Sequence, residues 1–368
     1  MRLGVSAALV DGTLIDGDVT IDGDSVTAVG VSGGRRRGLA VPGFVDAHIN
    51  GIAGVDFLRA GADGHARAAE ALAAVGVVAY QPTLVSSPPE AYVAPLAAAA
   101  AAMTQPGGGA RVLGVHLEGP FLSTAWPGAH DPANLLEPDA ELADRLCEAG
   151  PVTMLTLAPE LDGGLELVEH LVRRGLTVSI GHTDADAATA HAAFDSGARA
   201  ITHIHNAHRR WRARDPGPAG VALVRSDVWV QAIVDGVHLA PESALGAFLA
   251  VGRRFSVVTD AVEAAGMPPG RYRLGDRDVE VEGGAVRLAD GTLAGSVLTM
   301  DAAVRNLVAC GVALSDAVHA ASTAPARLLD RDDLGVLRPG VMANIAVLND
   351  ELEVERTVVN GQEAFAVR

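Results

Sequence analysis

The sequence predicts an α/β fold: a (β/α)8 barrel of the TIM type, with a small β-sandwich domain formed by both chain termini. Three observations lead there. Through the middle of the chain, short apolar runs alternate with segments of helical length. The runs are continuously apolar, as parallel strands covered on both faces are. Acidic and imidazole side chains recur where those runs end, which is where a barrel displays its site. Both ends of the chain read instead as short strands, those of the N-terminal end joined by Asp-Gly turns.

Residues 1–40 give VSAALV, a turn at Asp11-Gly12, TLIDGDVTI, a turn at Asp22-Gly23, SVTAVG, and a loop GGRRRG at 33–38. The last stretch, with ANIAVLND, ELEVERTVVNG and QEAFAV, is built in the same way. Residues 1–42 and 334–368 are therefore expected to pair into the sandwich, leaving 43–333 as the barrel. Within the barrel, Asp63 opens HARAAEALAAVG, a helix stopped by Gly76, and VVAYQPTL follows as a strand. RVLGVHLE is a strand, 139–149 a helix, VTMLTL a strand, LELVEHLVRR a helix ended by Gly175, and LTVSI a strand. DADAATAHAAFDSG is a helix leading into ARAITH; VWVQAIVD is a strand; a helix near 241–253 leads into FSVVTD. Asp at helix starts and Gly at helix stops follow capping logic. Residues 271–295 read as an inserted β-hairpin. The absence of a GxGxxG fingerprint after the first strand argues against a doubly wound dinucleotide fold.

Composition narrows the function classes. The formal net charge is −17, from 28 basic against 45 acidic residues, so the surface repels nucleic acid and anionic membranes. Aromatics make up 4%, too few for base-stacking platforms. The Ala-rich run from Ala94 to Met103 is too short to span a bilayer. The N-terminal stretch is broken by an Asp-Gly turn and does not read as a signal peptide. Cys147 and Cys310 fit no metal spacing and read as buried thiols of a reducing compartment. A cytoplasmic protein that binds neither nucleic acid nor membrane is expected.

The chemistry concentrates in four islands: HLEGPF, SIGHTDA, ITHIHNA and VVTDA. Glu118, His182 and His203 each follow a strand. One carboxylate and two imidazoles make the His2Glu set that holds a catalytic zinc; iron or manganese accept the same donors. Asp260 ends FSVVTD and is placed to take a proton from water and return it to a leaving amine, or to cap the next helix. His48 in PGFVDAHINGIAG marks a tentative second metal position, or simply a hydrogen-bonded ring; its neighbour Asn50 is a poor transition-metal ligand. Arg209, Arg210, Arg212 and Arg214 crowd one loop around Trp211, suited to a phosphate or carboxylate or to solvent. His130 and His238 lie in Gly-flanked loops of the kind that build barrel sites.

These islands resemble the N-acetylglucosamine-6-phosphate deacetylases of the amidohydrolase superfamily. The resemblance runs from PGFVDAHINGIAG to LGVLRPGVMANIAVL and TVVNG. It includes YQPTLVSS, TLAPE, GHT, TH..NA, RDPG, DGVH, LAGSVLTMD and STAPAR, in order and with matching spacing. It implies a barrel with a small β-sandwich, metal-dependent amide hydrolysis, an amino-sugar phosphate substrate and a homodimer. It implies Glu118, His182 and His203 as metal ligands, Asp260 as general base and acid, and His130 as the group polarising the acetyl carbonyl. Ala129, Asn206, Ala207, His238 and Leu293, Ala294, Gly295 fall at substrate-contacting positions. Arg214 matches an arginine that reaches the phosphate from the neighbouring subunit. Two departures stand out: His48 with Asn50 in place of His-x-His, which favours one metal, and His208 in place of the usual Met, followed by the Arg-rich run. Rival expectations are a deacetylase of another or non-phosphorylated N-acyl amino sugar, a nucleobase-deaminating amidohydrolase, and a non-catalytic barrel scaffold.

Overall fold

Eight parallel strands form the barrel wall: Phe44–Ile49, Val77–Val85, Val115–Glu118, Val152–Leu157, Thr177–Ile180, Ala200–Ile201, Trp229–Ala232 and Phe255–Val257. Each pairs in parallel with its sequence neighbour. The end of the first meets the segment just past the last, where Asp260 N–H donates to His48 O at 2.9 Å and Asn50 N–H to Ala261 O at 2.8 Å. The computed structural model describes residues 1–33, 37–104 and 107–367; Gly34, Arg35 and Arg36 of the expected 33–38 loop lie outside the described residues.

The strands are buried end to end, as their apolar runs require; all nine residues of Val77–Val85 are buried. Beneath the mouth the interior is polar. His116 sits between Thr83 (Nδ1 to Oγ1, 3.1 Å) and Thr156 (Nε2 to Oγ1, 2.8 Å), and Thr202 Oγ1 bonds both Thr156 (2.8 Å) and Ser179 (2.6 Å). Helices pack outside. Asp139 caps Ala140–Ala149 by accepting from Leu142 N–H, and Asp186 caps Ala187–Asp195 by accepting from Thr189 N–H, so these starts obey the capping rule. The helix expected from Asp63 spans Ala62–Ala74 and begins one residue earlier: Gly61 precedes it, and Asp63 sits in its first turn, where a negative charge suits the dipole. Gly76 and Gly175 adopt φ +83° after their helices, the left-handed stop that glycine permits. Among the described residues no helix is long and apolar enough to cross a membrane.

Both ends of the chain build one six-stranded sheet, in the order Thr13–Asp16, Ala7–Val10, Leu39–Pro42, Ile345–Leu348, Val354–Val359, Gln362–Ala366. A second pair, Asp18–Asp22 with Ser25–Val31, covers it. Leu3, Val5, Val19, Ile21, Val26, Ile345 and Val358 fill the space between. Asp11 and Gly12 have φ +47° and +81°, the signs a two-residue hairpin turn needs. The next turn is shifted by one from the expected Asp22-Gly23: Asp22 still pairs with Ser25, and Gly23 (φ +60°) and Asp24 make the bend. The buried Asp18 carboxylate accepts from the N–H groups of Gly4, Val5 and Val19 and from Arg2 Nε, which fastens the first residues down.

The insertion is larger than a hairpin. Gly270–Leu274, Arg277–Glu282 and Ala285–Arg287 form a three-stranded antiparallel sheet, because Gly283-Gly284 (φ +59° and +81°) supplies a second tight turn. Its inner face (Leu274, Val279, Val281, Val286) packs on Val85 and Val262 at the barrel mouth.

Candidate active site

Glu118 is the last residue of its strand; His182 and His203 stand two residues beyond theirs. His182, His203 and Asp260 have φ of +49°, +30° and +47°. Such backbones cost about 1–3 kcal/mol each and persist where surrounding structure holds them. Here the bends turn three side chains toward one point. Glu118 Oε1 lies 3.1 Å from His182 Nε2 and 2.9 Å from His203 Nε2, and those nitrogens are 3.2 Å apart. His182 Nδ1 donates to Trp126 O at 3.0 Å. In the neutral ring Nε2 is then a lone pair, facing a carboxylate oxygen and a second imidazole nitrogen. Three electron-rich atoms gathered in this way suit a cation. Donors about 2.0–2.2 Å from a tetrahedral zinc sit about 3.3–3.5 Å from one another, close to the spacing seen.

A second set shares Glu118. His48 Nε2 lies 3.4 Å from Glu118 Oε2 and 3.2 Å from Asp260 Oδ1, close but misaligned for hydrogen bonding. Asn50 Nδ2 donates to Asp260 Oδ1 at 2.6 Å. Burial opposes ionisation of Glu118, yet His48 and the other surrounding imidazoles outweigh it and hold the acid well below its ordinary value. Asp260 is likewise lowered, chiefly by His48 acting against burial. For His48, burial opposes the charge, but Glu118 and then Asp260 prevail and raise it to about 10. The cluster is therefore built to hold positive charge between two carboxylates.

His130 is oriented differently. Ser86 N–H donates to its Nδ1 at 3.2 Å, so in the neutral ring Nε2 carries the proton; Nε2 lies 3.5 Å from Glu118 Oε2. It presents a donor at the cavity floor. His238 Nδ1 is 2.7 Å from Asp235 Oδ2, which fixes that ring. A cavity of about 430 Å³ opens above these groups.

Residues 39–364 match the Amidohydrolase family. The rat N-acetylglucosamine-6-phosphate deacetylase is 42% identical over 347 residues, covering 90% of this chain and 83% of its own. The Escherichia coli O157:H7 N-acetylgalactosamine-6-phosphate deacetylase is 38% identical over 334 residues, covering 90% and 89%. This chain belongs to the N-acetylglucosamine-6-phosphate deacetylase group of the amidohydrolase family. A mutant N-acetyl-D-glucosamine-6-phosphate deacetylase from Mycobacterium smegmatis, solved in complex with N-acetyl-D-glucosamine-6-phosphate, superposes on this deacetylase-group chain with a TM-score of 0.94. That match has 36% identity and covers 100% of this chain and 99% of the other.

Of the residues singled out from sequence in this amidohydrolase, Glu118, Ala129, His130, His182, His203, Asn206, Ala207, His238, Asp260, Leu293 and Gly295 line the cavity. His48 is fully buried against Glu118 and Asp260. Two do not line it. Ala294 points into the apolar cluster under the inserted sheet, because alternation turns it away from its neighbours Leu293 and Gly295. Arg214 is exposed on a turn closed by reciprocal backbone bonds between Arg212 and Asp215, outside its own chain's cavity. Cys147 and Cys310 form no disulfide and are only partly buried, which corrects the expectation of buried thiols.

Sequence reasoning missed several groups. Asp46, fully buried, accepts from Thr259 Oγ1 at 2.6 Å and from the N–H groups of Thr259 and His48 at 3.3 Å, tying the strand of His48 to that of Asp260. Burial pushes its carboxyl up to about 6 against those bonds. An acid inside an apolar run two residues before His48 was the available signal. Trp126 and Arg277 also line the cavity, beside Arg210 of the Arg-rich loop already marked from sequence. Arg277 opens a strand whose same-face residues are the buried Val279 and Val281, an unusual place for a cation.

Proposed function

We propose that this chain hydrolyses the acetamide of N-acetylglucosamine 6-phosphate to glucosamine 6-phosphate and acetate. One observation carries the reading: a Glu118 carboxylate oxygen and the Nε2 atoms of His182 and His203 converge at the floor of a cavity that also holds Asp260 and His130. Those three residues fit a divalent cation, zinc first, with iron or manganese accepting the same donors. When bound it supplies Lewis-acid polarisation and acidifies water near neutral pH. His130 Nε2–H donates to the acetyl oxygen as negative charge develops there. Asp260, kept ionised, takes a proton from the attacking water while the new C–O bond forms; Asn50 holds its carboxylate in aim. The tetrahedral intermediate collapses with cleavage of C–N, and Asp260 returns the proton to the leaving amine. His48 Nε2 stands buried beside both carboxylates, and one cation rather than two is expected, since Asn50 takes the second position of the His-x-His pattern and donates to Asp260 Oδ1.

Asn206, Ala207 and His238 are assigned to the sugar phosphate, with Ala129, Leu293 and Gly295 shaping the wall. The working unit is a cytoplasmic homodimer in which Arg214 of each chain reaches the other's cavity; its exposure outside its own cavity supports that role. Residues 1–42 with 334–368 form the small β unit and 43–333 the catalytic barrel. A second reading, favoured by the N-acetylgalactosamine-6-phosphate deacetylase relative, is that the C4 epimer is the substrate. Acetate release from both 6-phosphates and from unphosphorylated N-acetylglucosamine, by metal-reconstituted protein, tests the proposal. Failure with all three, or ammonia without acetate, overturns it.

A further inference from the structure

We infer that Arg210 is a phosphate-recognising side chain that this chain supplies to its own cavity, seated there by Trp126. The inference rests on the sugar-phosphate reading above. The Arg-rich loop divides its labour. Arg209 is consumed by carboxylates, Nε to Asp215 Oδ2 at 2.8 Å and Nη1 to Asp184 Oδ2 at 3.2 Å. Arg214 lies outside the cavity. Arg210 lines it, and among the described residues its guanidinium has no hydrogen bond or ion pair. It lies instead over the Trp126 ring, 5.6 Å from the centroid.

That packing matters chemically. A cation–π contact uses none of the guanidinium N–H groups, so the exposed Arg210 side chain is drawn to the Trp126 face with its donors unspent. The plate itself is fixed. Trp126 Nε1 donates to Asp184 Oδ1 at 2.8 Å, and Trp126 O accepts from His182 Nδ1 at 3.0 Å. The cavity floor and the rim are thus joined through one residue. Gly128 keeps this loop against its partner: a Cβ there would come within 2.9 Å of His182 Cε1 and 3.6 Å of the Ala207 side chain. Arg210 follows Asn206 and Ala207 on the same loop, on the rim assigned to the phosphate. In a chain of net charge −17, a pre-positioned free cation at a cavity mouth also draws anionic substrate in. The family pattern places the phosphate arginine on the neighbouring subunit; Arg210 is a second one, from within the chain.

The test compares wild type with Arg210→Ala, Arg210→Lys, Trp126→Leu and Arg214→Ala, using N-acetylglucosamine 6-phosphate and unphosphorylated N-acetylglucosamine. Arg210→Ala is expected to raise KM for the phosphate ester about 10- to 100-fold, the scale of a lost charge-assisted bond, with a much smaller change in kcat. The ratio of kcat/KM between the two sugars should fall at least about tenfold. Arg210→Lys, which keeps charge but loses the stacked fork, should fall between, and Trp126→Leu should shift the ratio the same way. Calorimetric binding of inorganic phosphate should weaken in parallel, which tests Arg210 even if neither sugar is turned over and the substrate reading fails. A ratio unmoved by Arg210→Ala, or phosphate binding lost only in Arg214→Ala, overturns the inference.

Discussion

Asparagine at position 260 isolates one atom's chemistry. The backbone there has φ +47°, a region that Asn tolerates and Ala does not, so Asp260→Asn should fold where Asp260→Ala adds strain. Asn keeps the side-chain volume, and its Oδ1 can still accept from Asn50 Nδ2, the 2.6 Å bond of the parent. What it loses is the proposed capacity to take a proton from water and hand it to the amine. Positioned general bases contribute about 10²–10⁴ in rate, so kcat should fall by that factor, a barrier increase of about 3–5 kcal/mol. The atoms proposed to hold the cation, Glu118 Oε1 and the two Nε2 atoms, lie within 3.2 Å of one another without Asp260, so metal content should be retained. Acetate release and metal analysis on the same sample decide it. Turnover within tenfold of wild type, or metal lost in proportion to activity, would refute the proton-shuttle assignment.

Three further outcomes are expected. His130→Ala removes the donor fixed by Ser86 and should lower kcat about 10²–10³-fold, with KM moving far less; steady-state kinetics showing the reverse split would contradict it. Burial lowers the His65 imidazole from 6.5 to about 4. Between those values the unfolded chain binds more protons than the folded one, so stability falls as pH drops from 6.5 toward 4, by at most about 3 kcal/mol. Denaturant titrations at pH 7 and pH 5 should show a smaller drop for His65→Gln than for wild type, and equal drops would exclude His65 as the source. Asp18→Ala strands the N–H groups of Gly4, Val5 and Val19 and should destabilise by about 3 kcal/mol or more, read as a lower denaturant midpoint and faster amide exchange over residues 1–20. An unchanged midpoint would show that water replaces the carboxylate.

The metal-suited residues are legible in the sequence because each ends or closely follows an apolar run, so Glu118, His182 and His203 advertise strand ends without any knowledge of pairing. Asp260 is legible for the same reason. What stays hidden depends on neighbours distant in sequence. The Asn50–Asp260 bond joins the first and last barrel strands; from the sequence Asn50 reads only as a weak ligand, because its partner is far along the chain. The hydroxyl layer of Thr83, Thr156, Ser179 and Thr202 around His116 is invisible there because small hydroxyls sit inside apolar runs without breaking them. Gly283-Gly284 stands in plain view, yet the hairpin expectation takes no account of it as a turn, and the segment folds as a three-stranded sheet. Which arginine of 209–214 faces the cavity depends on partners that composition does not encode: Asp184 and Asp215 hold Arg209, and the turn at Arg212–Asp215 carries Arg214 outside.

The sheet shared by the two termini sets an order of assembly. Leu39–Pro42 finds its antiparallel partner only in Ile345–Leu348, at the far end of the chain. On the ribosome, the opening strands must therefore wait, edges bare, while the whole barrel is made. Pairing so remote in sequence is slow to close, and bare edges invite neighbouring nascent chains. Because Gly43 alone separates Leu39–Pro42 from the strand bearing His48, a segment made only after the barrel completes the support of one of the first parts of the catalytic floor.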